Sequence, residues 1–485
     1  MSYTSLTYYV MVIFLLPLYY FVPRKIRWIV LLVGSIFFYT QIITDVKQFY
    51  FLVYSVILSY LAGIILQMVR TTDRLITKKF ILFAGITLSS LPLILEKIRD
   101  ISSGVLFGQA FSSLVIPVGL SFYTLQLIAY LVDIYRGVID AQKNPLKYCL
   151  FITFFPQIIQ GPIPRYDQLG SFLFNGNEYN FNNIIKGVQL VIWGFFLKYM
   201  IADKAAIVVN NVFGNPHVYA GGYIWVGTAL YCMQLYSDFM SCTTISKGIA
   251  EMFGIKLSDN FNHPFFATST KDFWRRWHIS LSYWLRDYIY IPLGGNKRGR
   301  VFKWINLTIT YAVSGLWHGG SIKYLIWGLC QVFYQIVGEI RNIIVTDFGL
   351  EKYSMKNKWL STQINRLGTT VLFMLSVIIF RADTLQDGLT LIKNMLTVFN
   401  PWIFFDDSLF LLGLDSKEYL ILILSIMILL LVSIKQESGM KLRDRFMEQN
   451  IVIRWVVYLL AIWTIWIFGS YGFGFNSNDF LYGGF

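Results

Sequence analysis

The sequence predicts an all-α polytopic membrane protein. Of its 485 residues, 56% are hydrophobic and only 14% are charged, whereas soluble domains average about 25% charged residues. Long apolar runs recur from one end of the chain to the other. Because several runs are shorter than the roughly 20 residues of a full span, we predict about eleven transmembrane helices together with re-entrant ones.

Twelve apolar runs are the candidates for these helices. They are Leu6–Val22, Ile26–Ile43, Phe49–Met68, Phe80–Leu95, Val115–Val132, Ile184–Ile201, Tyr223–Leu235, Ile305–Ile322, Tyr324–Val337, Leu367–Phe380, Tyr419–Ile434 and Ile453–Phe468.

The first run, Leu6–Val22, is expected to be a retained helix rather than a signal peptide. It lacks a basic region before it and a small-residue cleavage site after it. Arg24, Lys25 and Arg27 follow at once, which predicts a cytoplasmic loop and an extracytoplasmic N-terminus. Basic cytoplasmic loops also explain the net charge of +14, so nucleic acid is not an expected partner.

We expect a single membrane domain with three zones. Residues 1–110 contain simple hydrophobic helices, residues 115–340 contain nearly all the unusual polar residues, and residues 345–485 contain a basic loop, further spans and an aromatic tail. No internal repeat is evident, although a transporter built from two similar halves is expected to show one. The four cysteines show neither disulfide nor metal-ligand spacing, so no metal site is predicted.

Residues 256–304 are too polar to span a membrane, and the segment Phe273–Ile291 within them has helical periodicity. Its tryptophans recur at helical spacing, and Arg275, Arg276 and Arg286 lie mostly on another face. A tryptophan-rich face beside a basic face predicts a continuous helix lying in the membrane interface, on the cytoplasmic side.

His318 is the only side chain in the run Ile305–Ile322 that ionises near neutral pH. An imidazole at membrane depth costs free energy unless it is paired or used, so we expect a functional site rather than a structural histidine. Gly315, Gly319 and Gly320 would let another group approach the ring closely. The residues alone leave a general base, a proton relay and a metal ligand open, the last being weakest because the other histidines lack paired spacing.

His278 and Asp238 are further polar candidates. His278 lies four residues after Trp274 and four before Ser282, which predicts a position on or near the buried aromatic face. It could equally be an interfacial anchor. Asp238 ends an apolar run and is either an intramembrane carboxylate or a helix end that meets the interface.

The segment Pro156–Leu169 contains three prolines and a glycine, which break any continuous span. Irregular backbone at membrane depth requires cover from protein or water. We therefore expect a re-entrant element lined by Gln157, Gln160 and Arg165, with an ordinary cytoplasmic loop as the alternative.

Two histidine motifs resemble the signature of the membrane-bound O-acyltransferase family. They are FWRRWHISLSYWLRDYIYIPLGGNKRG at Phe273–Gly299 and GLWHGG at Gly315–Gly320. PVGLSFYTLQLIAYLVDIYRG at Pro117–Gly137 and FRAD at Phe380–Asp383 are similar as well. The nearest resemblance is to the bacterial branch of alginate O-acetyltransferases and teichoic acid D-alanyltransferases.

The resemblance implies a central tunnel through the membrane, with His318 as the catalytic base and His278 as the second polar position. It also implies that the segment Trp274–Arg286 borders a cytoplasmic funnel for the acyl donor. Candidates for lining the tunnel are Trp317, Asp238, Tyr236, Gln157, Gln160, Arg276 and Arg286. The sequence departs from relatives at Gln157, where a histidine is usual, and at Thr244, where a second acidic residue is common.

The expected function is transfer of an acyl group, acetyl being favoured, from a cytoplasmic thioester to hydroxyls of an extracytoplasmic polysaccharide. No cofactor is expected to be bound, and the donor is expected to be acetyl-CoA or an acyl carrier protein. The expected partners are the lipid bilayer and an SGNH-type or other extracytoplasmic acyltransferase, and the expected location is the plasma (inner) membrane. D-alanyl transfer to teichoic acid and a polysaccharide or small-molecule transporter are the alternatives.

Overall fold

The computed structural model describes residues 1–71, 74–102, 115–349 and 357–471. Every regular element in these ranges is a helix, which confirms the predicted all-α membrane class. The predicted aromatic tail FLYGGF, together with Lys352 and Lys356 of the predicted basic loop, lies outside the described residues.

The described chain forms two compact units. The first comprises Met1–Phe195 and Ser241–Asp259, and the second comprises Phe196–Met240 and the described residues from Asn260 onward. The division into zones 1–110, 115–340 and 345–485 stays a prediction.

The first unit packs around buried tyrosine and phenylalanine rings. Tyr3, Tyr8, Phe38 and Phe155 lie in edge or stacked contacts, and the Tyr3 hydroxyl donates to the Phe155 carbonyl at 3.1 Å. Tyrosine suits such a core because its ring is apolar while its hydroxyl finds a partner. The helices that begin and end in this unit are α1 (Leu6–Phe21), α2 (Arg27–Ile42), α3 (Val46–Val69), α4 (Leu75–Ser89), α5 (Leu91–Ser102), α6 (Leu120–Arg136), α7 (Pro145–Thr153), α8 (Tyr166–Phe174) and α9 (Phe181–Phe195).

The second unit begins with a π-helical turn, Phe196–Ala202, and contains another at Arg286–Tyr290. Its helices are α10 (Asp203–Gly214), α11 (Gly222–Met252), α12 (Thr270–Arg276), α13 (Ile279–Leu285), α14 (Arg300–His318), α15 (Ile322–Asp347), α16 (Lys358–Arg381), α17 (Leu385–Thr397), α18 (Ser416–Glu437), α19 (Leu442–Met447) and α20 (Ile451–Phe468). Helix α11 belongs to this unit up to Met240, and its remaining residues belong to the first unit.

Helices α14 and α15 form a hairpin with very close backbones. A methyl group added at Gly315 would overlap the Tyr324 carbonyl oxygen, and one added at Gly328 would overlap that of Tyr311. The group that approaches Gly315 closely is therefore the backbone of the neighbouring helix α15. Gly319 likewise admits the ring of Tyr324.

Six helices in the described residues are long and apolar enough to cross a membrane, or seven if the bent pair α4–α5 forms one span. The count of about eleven stays a prediction. The six are Arg24–Ile42, Val46–Val69, Phe181–Gly214, Lys358–Arg381, Ser416–Glu437 and Ile451–Phe468. The predicted run Ile305–Ile322 is not one helix, because α14 ends at His318 and α15 begins at Ile322.

Candidate active site

His318 is the last residue of α14 and is only 3% exposed. Three aromatic rings meet its imidazole edge to face: Trp317 at 4.8 Å, Trp327 at 5.2 Å and Phe380 at 5.4 Å between ring centroids. Rings packed in this way fix the orientation of the imidazole and exclude bulk water from its faces. The end of α14 thus presents an ionisable group inside an aromatic enclosure.

His278 interrupts the helix that the sequence pattern predicts over Phe273–Ile291. Helix α12 ends at Arg276, α13 begins at Ile279, and His278 between them has φ +44° and ψ +54°. The prediction of a continuous helix is therefore wrong. The left-handed region is uncommon for a residue with a β-carbon, and residues held there cluster at functional sites. His278 is 1% exposed.

The fold brings both histidines into contact with one indole. The Trp317 ring lies 6.1 Å from His278 and 4.8 Å from His318. Phe239 of α11 meets His278 edge to face at 4.7 Å. Forty residues separate the histidines in sequence, so this arrangement arises from the fold and not from local spacing. The roles predicted for His318, His278 and Trp317 stay predictions.

The left-handed backbone of His278 predicts an inverted order of stability for two substitutions. Both His278→Gly and His278→Ala remove the imidazole, but only alanine leaves a β-carbon in the unfavourable conformation. We expect the alanine variant to be less stable than the glycine variant by about 1–2 kcal/mol.

Thermal unfolding of the purified protein in detergent measures this order. The matched control is Ser282, which lies within α13, where alanine should be the more stable substituent by about 1 kcal/mol. The same order at both positions would show that His278 does not hold this conformation in solution.

Asp238 lies within the 31-residue helix α11, so the alternative of a helix end is wrong, while its position inside the membrane stays a prediction. Its Oδ1 accepts a hydrogen bond from Lys198 Nζ at 2.7 Å, and Lys198 also pairs with Asp203 at 2.9 Å. All three side chains are at most 8% exposed. One ammonium thus holds two carboxylates in a buried triad.

The sequence interpretation missed Lys198 and Asp203. Lys198 lies inside the predicted apolar span Ile184–Ile201, and the π-helical turn Phe196–Ala202 places it on the buried side. A lysine in an apolar run, followed five residues later by an aspartate, was the available signal, because such a charge requires a partner. Phe239 follows Asp238 directly, so the triad anchors the part of α11 that contacts His278.

The other predicted tunnel-lining residues of the second unit contact neighbouring side chains. Tyr236 is buried against Phe261 and Phe265. Arg276 pairs with Asp272 and with Glu437 at 2.9 Å. Arg286, half-exposed, pairs with Asp287 and lies over the ring of Tyr283.

The remaining histidines lie elsewhere. His217 is exposed in the turn after α10. Burial lowers the pKa of His263 below its ordinary value, so this imidazole is neutral at neutral pH. Among the described residues, no group of three or more His, Cys, Asp or Glu side chains could hold a metal ion.

Gln157 and Gln160 belong to the first unit. The backbone from Phe154 to Arg165 is not helical, yet its residues from Phe154 to Pro164 are buried apart from Ile159. The segment is therefore irregular backbone covered by protein, and the choice between a re-entrant element and a cytoplasmic loop stays a prediction. Gln157 donates to the Phe151 carbonyl at 3.4 Å, and the Gln160 side chain is fully buried.

Comparison with known proteins agrees with the histidine motifs. A model of the membrane-bound O-acyltransferase (MBOAT) family matches residues 139–379, which include both His278 and His318. A peptidoglycan O-acetyltransferase of Helicobacter pylori is 31% identical over 399 residues, covering 76% of this chain and 73% of that protein. The chain belongs to the membrane-bound O-acyltransferase family. The resemblance seen in the sequence is thus confirmed.

Two further known proteins are similar to this chain. A probable alginate O-acetylase AlgI of Pseudomonas syringae is 40% identical over 215 residues, which cover 44% of this chain and 41% of that protein. The chain therefore spans less than half the length of this relative. A teichoic acid D-alanyltransferase of Bacillus subtilis is 29% identical over 301 residues, covering 58% of this chain and 71% of that protein.

Proposed function

We propose that this protein is a membrane-bound O-acyltransferase that moves an acyl group from a cytoplasmic thioester to hydroxyls of an extracytoplasmic polysaccharide. The observation that supports this most directly is the pair of buried imidazoles that both contact Trp317. An acetyl group is favoured, since relatives are named as alginate O-acetylase and peptidoglycan O-acetyltransferase.

The proposed chemistry requires a base. A sugar hydroxyl is a poor nucleophile, and His318 would take its proton as the oxygen attacks the thioester carbonyl. The new C–O bond forms, the C–S bond breaks, and the proton passes from His318 to the departing thiolate. The aromatic enclosure of His318 favours this reaction over hydrolysis because it keeps bulk water from the acyl group.

His278 would be the second catalytic residue. The candidates for lining a tunnel between the donor and the acceptor remain Trp317, Tyr236, Asp238, Gln157, Gln160, Arg276 and Arg286. The donor would be acetyl-CoA or an acyl carrier protein at the cytoplasmic face, with no bound cofactor. The protein would lie in the plasma (inner) membrane with its N-terminus outside. An SGNH-type or other extracytoplasmic acyltransferase would be its partner.

D-alanyl transfer is the second candidate, supported by the similarity to a teichoic acid D-alanyltransferase. The two candidates use the same ester-forming step and differ in the donor. A transporter, in contrast, would depend on an ion gradient and would tolerate substitution of His318.

Radiolabelled donors distinguish these functions. Membranes of a deletion strain that expresses this protein are supplied with [¹⁴C]acetyl-CoA or with a [¹⁴C]D-alanyl carrier protein. We expect alkali-labile label in the polysaccharide from the first donor. Label from the D-alanyl donor alone would show that the protein is a D-alanyltransferase and not an acetyltransferase. Label from neither donor would contradict the acyltransferase proposal.

A further inference from the structure

Helix α13 starts without the usual cap. Its first backbone N–H groups have no partner within the helix and require acceptors from elsewhere. Asn, Asp, Ser or Thr commonly occupies the N-cap and supplies one. Here the N-cap is His278, and its side chain makes no capping hydrogen bond.

Asn260, eighteen residues before His278, supplies the acceptors instead. Its carbonyl oxygen accepts from the Ile279 N–H at 2.9 Å, and its Oδ1 accepts from the Ser280 N–H at 3.1 Å and from the Ser280 hydroxyl at 2.6 Å. The Asn262 N–H donates to the Arg276 carbonyl at 2.9 Å. These bonds hold the chain on both sides of His278, and Asn260 is 3% exposed.

We propose that Asn260 is a positioning residue for His278. By capping α13 from outside, it leaves the imidazole for the contacts with Phe239 and Trp317 and stabilises the left-handed backbone at the break. The periodicity of Phe273–Ile291 favours a continuous helix through His278. Without the Asn260 acceptors, the backbone can relax toward that helix and turn the imidazole away from Trp317. This inference rests on the proposed function, because it assigns to His278 a position in the acyl-transfer site.

The test separates positioning from folding and from substrate binding. Asn260→Ala removes the Oδ1 acceptor, Asn260→Asp keeps an oxygen in its place, and Asn262→Ala alters an exposed side chain on the same segment. Rates are measured with [¹⁴C]acetyl-CoA in membranes and normalised to folded protein from size-exclusion chromatography.

We expect Asn260→Ala to lower kcat by about tenfold to a hundredfold, because small displacements of a reacting group have effects of that size. KM for acetyl-CoA should not change, since the lost interaction does not bind the donor. Asn260→Asp should recover most of the rate, and Asn262→Ala should resemble wild type.

Wild-type kcat in Asn260→Ala, or equal losses in the alanine and aspartate variants, would overturn the positioning role. If the alanine variant does not fold, the aspartate variant decides: a large loss of kcat in folded protein refutes the role, and near-normal kcat supports it. His318→Ala is measured in parallel. Absence of label in the wild-type protein would refute the proposed function itself, and wild-type transfer in His318→Ala would refute its general base. An inactive His318→Ala beside a fully active Asn260→Ala refutes only the positioning.

Discussion

Replacement of His318 by alanine is expected to lower acyl transfer by about 10²–10⁴-fold, the usual contribution of a general base. The protein should still accumulate in the membrane, because the imidazole is enclosed by aromatic rings that pack with one another as well as with the histidine: Trp327 lies 5.1 Å from Phe380 between centroids. The measurement is alkali-released acetate from purified cell-surface polysaccharide of a deletion strain expressing the variant.

The matched control for this substitution is His217→Ala, which removes an exposed imidazole from a turn. We expect wild-type acylation in the control. Wild-type acylation in His318→Ala would exclude a general-base role and favour the transporter alternative, in which this histidine is not needed for chemistry.

Replacement of Lys198 by methionine should have the largest effect on stability. The substitution leaves Asp203 and Asp238 buried with no ammonium between them, and breaking a buried ion pair from one side costs about 3–5 kcal/mol. Asp238→Asn should cost less, because Lys198 still pairs with Asp203 at 2.9 Å. Thermal unfolding in detergent, monitored by size-exclusion chromatography, gives the order of the variants.

Lys247→Met is the control for this experiment. Lys247 pairs with Asp259, but the two side chains are 28% and 68% exposed, and exposed pairs contribute about 0–1 kcal/mol. If Lys198→Met melts at the same temperature as Lys247→Met, the buried triad does not stabilise the fold. If Asp238→Asn is less stable than Lys198→Met, two buried carboxylates without an ammonium do not cost more stability than the loss of one carboxylate, and the expected order is wrong.

The helical class follows from the sequence because apolar runs of membrane length have few other structures available to them. The runs also located the helix around Asp238, although they ended it too early. Polar residues beyond the run, such as Ser237 and Ser241, reduce local hydropathy, yet both are buried within α11. A hydropathy average predicts a helix that faces lipid. A helix face that packs against protein can contain polar side chains, so the average underestimates the length of such a helix.

Less of the candidate active site than of the fold could be predicted from the sequence. His318 was singled out because an imidazole in an apolar run is unusual, and the motif resemblance associated it with His278. The break at His278 was not predicted, since no glycine or proline marks it and the tryptophan spacing continues across it. Its cause is Asn260, a residue whose hydrogen bonds are long-range and therefore leave no local pattern.

The bonds of Asn260 also close a loop. The segment from Asn260 to Ser280 begins and ends at the same hydrogen-bonded junction, and α12 lies within it. An ion pair between Arg276 and Glu437 connects this segment to α18. In chimeras between relatives, this segment should therefore be exchanged as one cassette, together with residue 437. A crossover placed inside it would join halves of two different junctions and misplace the histidine that both halves hold.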